Sequence, residues 1–252
     1  MLTKSLAYAQ YFLRLTFYFK LNFIMLIGVP LANILLNKST WFVHSPTLAE
    51  AVPVMTSWLG YMVVYWYLAN GSGTRLVILR EENFLKMFSL VSRGIIAIVI
   101  GDFLAQTFIL SLVLFIVYIA LVLAFKLSLI FCLTLLLTAL MICVPVYGAL
   151  LLIGLLPLKM QTLQPLLMLA TFLLIFLSAY QFDNSLIVSL LTLVNPGEYV
   201  RQVSLLMLHT FGLPVRGETA CSPTWLAVVT AGYLCAGAVA LKKIKVQPNY
   251  KL

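Results

Sequence analysis

Few side chains in this sequence are placed to make or break a bond. The 252 residues include two histidines, His44 and His209, and neither has a metal-ligand partner nearby in sequence. Cys132, Cys143 and Cys235 fall inside apolar runs and Cys221 stands alone, so neither a disulfide framework nor a metal set follows. No GxxxxGK[ST] loop is present to cradle a nucleotide phosphate. The chemistry that remains is charge pairing and capping. Arg80, Glu81, Glu82, Lys86 and Arg93 cluster within one short stretch. Asp102 is followed by Gln106 at i+4 inside an apolar run, where a carboxylate marks an intramembrane polar site. Asn195, Pro196, Gly197, Glu198 and Tyr199 interrupt another apolar run. No catalytic residue, metal or cofactor is expected in the chain, and it is not expected to be an enzyme.

Composition says what must position these groups. The chain is 63% hydrophobic and 9% charged, against about 45–50% apolar and about 25% charged in an ordinary soluble domain. So few charges cannot solvate a globule of this size, and an integral membrane protein is expected. Long apolar runs point to helices, because barrel strands would alternate polar and apolar residues.

A helix needs about 20 apolar residues to cross about 30 Å of hydrocarbon. Six stretches are read as crossings: Leu21 to Leu36, Val52 to Ala69, Ile95 to Phe125, Leu127 to Leu156 with kink points at Pro145 and Gly148, Pro165 to Tyr180, and Thr224 to Leu241. With the N-terminus inside, twelve of the 16 Lys and Arg residues fall on inner segments, leaving Lys38, Lys126, Arg201 and Arg216 outside. That asymmetry places both termini in the cytoplasm, which requires an even number of crossings. The net charge of +9 then reflects inner loops facing anionic lipid rather than nucleic-acid binding. The first apolar run lacks a small-x-small cleavage site and is read as a true crossing. No internal repeat supports an inverted-repeat transporter. The expected fold class is therefore an all-α integral membrane protein forming one transmembrane domain over residues 1–252.

Three segments are not simple crossings. Residues 2–20 read as an interfacial helix with Lys4, Gln10 and Arg14 to one side and aromatics over much of the rest. Residues 71–94 form an inner loop. Within it the spacing predicts one helix from Arg80 to Arg93, with Glu82, Lys86, Ser89 and Arg93 on one face and Phe84, Phe88, Val91 and Ile95 opposite. Glu82 and Lys86 stand in the favourable i,i+4 order. Such a helix either docks a partner or rests solvated on lipid. Residues 182–223 form an outer segment in which Ser185 to Val194 is too short to cross, Asn195-Pro196-Gly197 breaks it and Glu198 to Phe211 restarts a helix. Two short helices joined by a break suggest a re-entrant hairpin. Merging them into a seventh crossing would bury Glu198 and Arg201 and export the Lys-rich C-terminus.

Together these features resemble the permease subunit of an ABC-2 type exporter. Arg80-Glu81-Glu82-Asn83-Phe84-Leu85-Lys86, then Arg93, Gly101 and Leu104-Ala105, is similar to that family's R-E-x-x-x-L-K…R…G-x-x-L-A pattern. Asn195-Pro196-Gly197-Glu198-Tyr199 is similar to the N-P-x-x-Y segment of its outer hairpin, while Asp102 departs from the basic or neutral residue more often found there. The resemblance implies six transmembrane helices, an N-terminal interfacial helix, a coupling helix between the second and third, and an outer re-entrant hairpin between the fifth and sixth. It implies a multi-pass protein of the bacterial plasma membrane that exports a peptide such as a bacteriocin, a drug or a lipid-like substrate. Its partners would be a cytoplasmic ABC ATPase subunit that binds ATP and Mg, a second permease chain as a homodimer or related heterodimer, and membrane lipid. Arg80, Glu81, Glu82, Lys86 and Arg93 would meet the ATPase.

Other readings exist. Trp58, Tyr61, Tyr65 and Trp66 line a substrate path or simply pack. Asp102 acts in function or is held by structural hydrogen bonds. A self-contained channel or secondary transporter, or an accessory or immunity protein, would need no ATPase. Glu81-Glu82 superficially resembles the motif of an intramembrane protease, but no histidine lies in a crossing to serve it.

Overall fold

The computed structural model describes residues 2–18, 20–92, 94–179, 185–213 and 221–244. Among them the regular structure is helical. The order is α1 (Leu2–Tyr18), α2 (Lys20–Asn37), α3 (Leu48–Asn70), α4 (Ser72–Glu81), α5 (Phe84–Ser92), α6 (Ile96–Phe125), α7 (Leu129–Leu150), α8 (Met160–Ala179), α9 (Ser185–Val194), α10 (Pro196–Thr210) and α11 (Pro223–Lys243). Short 3-10 turns occupy Ser39–Phe42 and Leu151–Leu155.

Three helical stretches are long and apolar enough to cross a membrane: α6, α7 with its 3-10 extension to Leu155, and α11. A fourth is reached if α1 and α2, which lie at 67° to each other, cross as one bent span. Each of the six apolar runs in the sequence does become a helix, so the difference from six lies in particular elements. α3 has the length, at 23 residues, but Thr56, Ser57, Trp58, Tyr61, Tyr65, Trp66, Tyr67 and Asn70 lower its hydropathy. α8 runs for 20 residues, with Gln161, Thr162, Gln164 and Pro165 in its first two turns.

The core explains why α3 is so polar for its length. It packs against α2, α6, α7, α8 and α10, and Trp66, Met62, Leu59 and Thr56 are all 2% exposed or less. Its polar atoms are used internally: Trp66 Nε1 donates to the Gln106 carbonyl at 3.1 Å, and the Tyr67 hydroxyl pairs with that of Thr107 at 2.8 Å.

α1 lies along α6 through Ser5, Ala9, Phe12 and Thr16, one stripe at helical spacing. The helices approach so closely that a Cβ on Gly101 would meet the Ser5 carbonyl oxygen at 2.7 Å and Tyr8 Cβ at 2.6 Å. α10 is the most embedded of the short helices, touching α3, α7, α8, α9 and α11. Its closest approach is to α3, where a Cβ on Gly60 would sit 2.7 Å from the Gly197 carbonyl oxygen.

Residues 71–94 depart from the sequence expectation. No single helix runs from Arg80 to Arg93. α4 ends at Glu81, Asn83 adopts the left-handed conformation at φ 59°, and α5 begins at Phe84. Asparagine tolerates that conformation better than most residues. Because the helix is broken between them, Glu82 and Lys86 do not share one helical face as an i,i+4 pair. Nor is the Phe84–Val91 face the buried one, since Phe84 is 43% and Val91 65% exposed. α5 is seated instead through Leu85, which is fully buried, and Phe88, whose ring meets Tyr8 and Tyr11 edge-on. The Tyr8 hydroxyl and Lys4 Nζ donate to the Phe88 and Val91 carbonyls, at 3.1 and 2.9 Å. Both carbonyls lie toward the C-terminus of α5, and that of Val91 has no intrahelical donor left.

Candidate functional site

The polar groups gather into two junctions. The first joins α1, α4, α6 and α7. Arg75 on α4 is 4% exposed and Asp102 on α6 1%, and Arg75 Nε lies 3.7 Å from Asp102 Oδ1. Arg75 Nη2 donates to Thr16 Oγ1 at 3.1 Å, and its guanidinium stands 5.5 Å from the centre of the Phe12 ring. Gln106 Nε2 donates to Thr16 Oγ1 at 3.0 Å and to Asp102 Oδ1 at 3.2 Å. The Tyr147 hydroxyl of α7 lies 2.9 Å from the Val99 carbonyl and 3.2 Å from Asp102 Oδ2.

Donor counting makes this arrangement one-directional. The Thr16 hydroxyl gives its proton to the Phe12 carbonyl at 2.8 Å, so toward Arg75 and Gln106 it can only accept. Gln106 faces two acceptors, which fixes its NH2 toward them and leaves its Oε1 without a partner. Asp102 and Gln106 are both buried here, and the Asp102 carboxylate has Gln106 and Tyr147 within hydrogen-bond distance.

The same helix α4 is fastened at its other end. Arg80 is 2% exposed, and its Nη1 and Nη2 donate to the carbonyls of Gly154 and Leu156 at 3.2 and 2.7 Å. Glu81 Oε1 accepts the Met160 backbone N–H at 3.0 Å, a carboxylate at the N-terminus of α8. Arg80 and Glu81 therefore hold the turn between α7 and α8. Glu82 and Lys86 are exposed, and Arg93 lies outside the described residues. Replacing Arg80 by methionine keeps the buried stem but removes two charge-assisted bonds, each worth about 1.5–3 kcal/mol. Trypsin cleavage after Lys159 should then quicken by more than about tenfold, since that turn loses its tether.

The second junction is the break between α9 and α10, placed where the sequence predicts it. Asn195 caps α10: its Oδ1 accepts from the N–H groups of Gly197 and Glu198 at 2.8 and 3.4 Å, and its Nδ2 donates to the Leu174 carbonyl of α8 at 3.2 Å. Pro196 takes the first helical position, where its missing N–H costs nothing. Glu198 is buried and receives Arg201 through two bonds at 2.6 and 2.9 Å and Gln202 Nε2 at 2.8 Å. Tyr199 reaches Thr230 of α11 at 2.8 Å. Residues 182–184 and 214–220 of the predicted hairpin lie outside the described residues.

Between α2, α3, α8 and α10 lies a cavity of about 140 Å³ lined in part by Trp58, Tyr61, Tyr65, Leu174 and Gly197. It is smaller than the roughly 300–1,000 Å³ of drug-sized sites. Trp66, grouped with these aromatics in the sequence, is instead fully buried core. His44 and His209 are exposed, and among the described residues no cluster of His, Cys, Asp or Glu could hold a metal.

Sequence reasoning missed Arg75, Thr16 and Tyr147. Arg75 had one available signal, a lone cation just before the apolar run Leu76-Val77-Ile78-Leu79. In comparisons with known proteins, no family model, curated protein or solved structure matches this chain.

Proposed function

We propose that the chain is the permease subunit of an ATP-driven exporter of the ABC-2 type. In this reading six helices (α2, α3, α6, α7, α8 and α11) cross a bacterial plasma membrane with both termini inside, α1 lies at the inner interface, and the α9–α10 pair is the outer re-entrant hairpin. A separate ATPase subunit binds ATP and Mg and presses on the inner loop, and a second permease chain completes the path for a peptide, drug or lipid-like substrate. The observation that carries the reading is the build of that loop. A tip exposing Glu82 and Lys86 stands on α4, whose Arg75, Arg80 and Glu81 reach α6, the end of α7 and the start of α8. A solvated loop resting on lipid would have no need of three charged side chains tied into the bundle.

The test is to purify the tagged chain in mild detergent from its native host and measure vanadate-sensitive ATPase activity in the eluate. A stoichiometric ATPase should copurify. Reversing both tip charges, Glu82→Lys with Lys86→Glu, should lower its recovery about tenfold or more, as charge complementarity sets such docking. A folded chain that brings down no ATPase overturns the reading and leaves a self-contained channel or an accessory protein.

A further inference from the structure

We propose that the Arg75–Asp102 pair is a latch closing α4 against α6, and that Arg75 is the positioning residue through which the inner loop acts on α6 and α7. What drives the latch rests on the exporter reading; the latch itself does not.

Arg75 and Arg80 are five residues apart, about 140° around a helix. They leave α4 on different sides, one toward α1 and α6, the other toward the turn that links α7 to α8. The two fastenings differ in kind. Both terminal nitrogens of Arg80 are within hydrogen-bond distance of fixed carbonyl oxygens. Arg75 has one such bond, to Thr16; the Nε atoms of both arginines are buried without a hydrogen-bond partner, but that of Arg75 stands 3.7 Å from the Asp102 carboxylate. A charged donor left unused within an ångström of a bonded position defines two nearby arrangements, one drawn in and one slack. Coupling needs an element with two discrete positions of this sort. Asp102 also binds Gln106 on its own helix and Tyr147 on α7. A movement of α4 that draws or releases Arg75 is therefore felt by both long helices.

Two native thiols make the test local. Cys143 lies one turn before Tyr147 and is 1% exposed. Cys221 is equally buried, but against Ser189 and Thr192 of α9, away from α4. The full chain in lipid nanodiscs would be treated with N-ethylmaleimide and the labelling rate of each cysteine read by peptide mass spectrometry. Arg75→Gln and Asp102→Asn are expected to speed Cys143 about tenfold, with Cys221 within about twofold of the wild type. The exchanged pair, Arg75→Asp with Asp102→Arg, should slow Cys143 again, and Arg80→Gln should leave it unchanged. Arg75→Lys keeps the charge but loses the planar fork, so it should act in the same direction should the glutamine variant fail to fold. Cys143 unaffected in the single variants, or Cys143 and Cys221 rising together, overturns the latch. A missing ATPase subunit leaves these rates as they are, so the two failures are distinct.

Discussion

Replacing Asp102 by alanine is expected to lower the stability of the chain by about 3–5 kcal/mol, the cost of stranding a buried charge. The carboxylate serves Arg75, Gln106 and Tyr147 together. Without it the Arg75 guanidinium stays buried with no counter-charge, hydrogen-bonded to Thr16. For a chain this long the loss corresponds to a melting temperature lower by on the order of 10 °C, measurable by thermal aggregation in detergent. The companion is the double variant Arg75→Met with Asp102→Leu, which removes both charges. It should recover most of the loss, because apolar replacements of both partners cost little. A double variant as unstable as the single one would show that shape, not charge, holds α4 to α6.

Gly60→Val is expected to undock α10 from α3. The new Cβ would sit 2.7 Å from the Gly197 carbonyl oxygen, which is backbone and cannot rotate away. Overpacking costs about 1–3 kcal/mol and occasionally more, and this site belongs at the upper end because a helix must move. About 3 kcal/mol corresponds to more than 100-fold faster amide exchange if opening is local. That change should appear at Val200 to Ser204, on the buried half of α10, ahead of the two ends of α6. Gly232→Ala is the control, since nothing lies within 4 Å of a Cβ there. Equal exchange in both variants would mean that the α3–α10 contact is not what seats the hairpin.

What could be read in advance followed the range of the interactions. The α9–α10 break is written by adjacent residues: an amide cap, a proline and a glycine act within one turn, so Asn195-Pro196-Gly197 predicted it directly. α6, α7 and α11 were legible because hydropathy sums along one segment. The inner loop was misread because Glu82 to Arg93 carries a credible helical repeat, while the break arises from elsewhere. Arg80 and Glu81 are captured by residues 154–160, more than 70 positions away. The Arg75 junction lay further out of reach, since Thr16, Arg75, Asp102 and Tyr147 come from four helices. Arg75 had been counted as one more inner cation, and nothing local to it names Asp102. The stripe of Ser5, Ala9, Phe12 and Thr16 was hidden because small and polar residues packed on a helix look like an exposed face in a hydropathy pattern.

The embedded position of α10 has a consequence for how the protein is made. α3 and α7 leave the ribosome before α10, yet α10 fills the space beside both. A lone α10 in lipid would carry Glu198 and Arg201 into hydrocarbon with only each other and Gln202 as partners. The contacts that α10 makes with α3 and α7 therefore cannot form until residue 210 has emerged. The seating of α10 is thus a packing step of its own, separate from the placement of α11, which follows it in the chain.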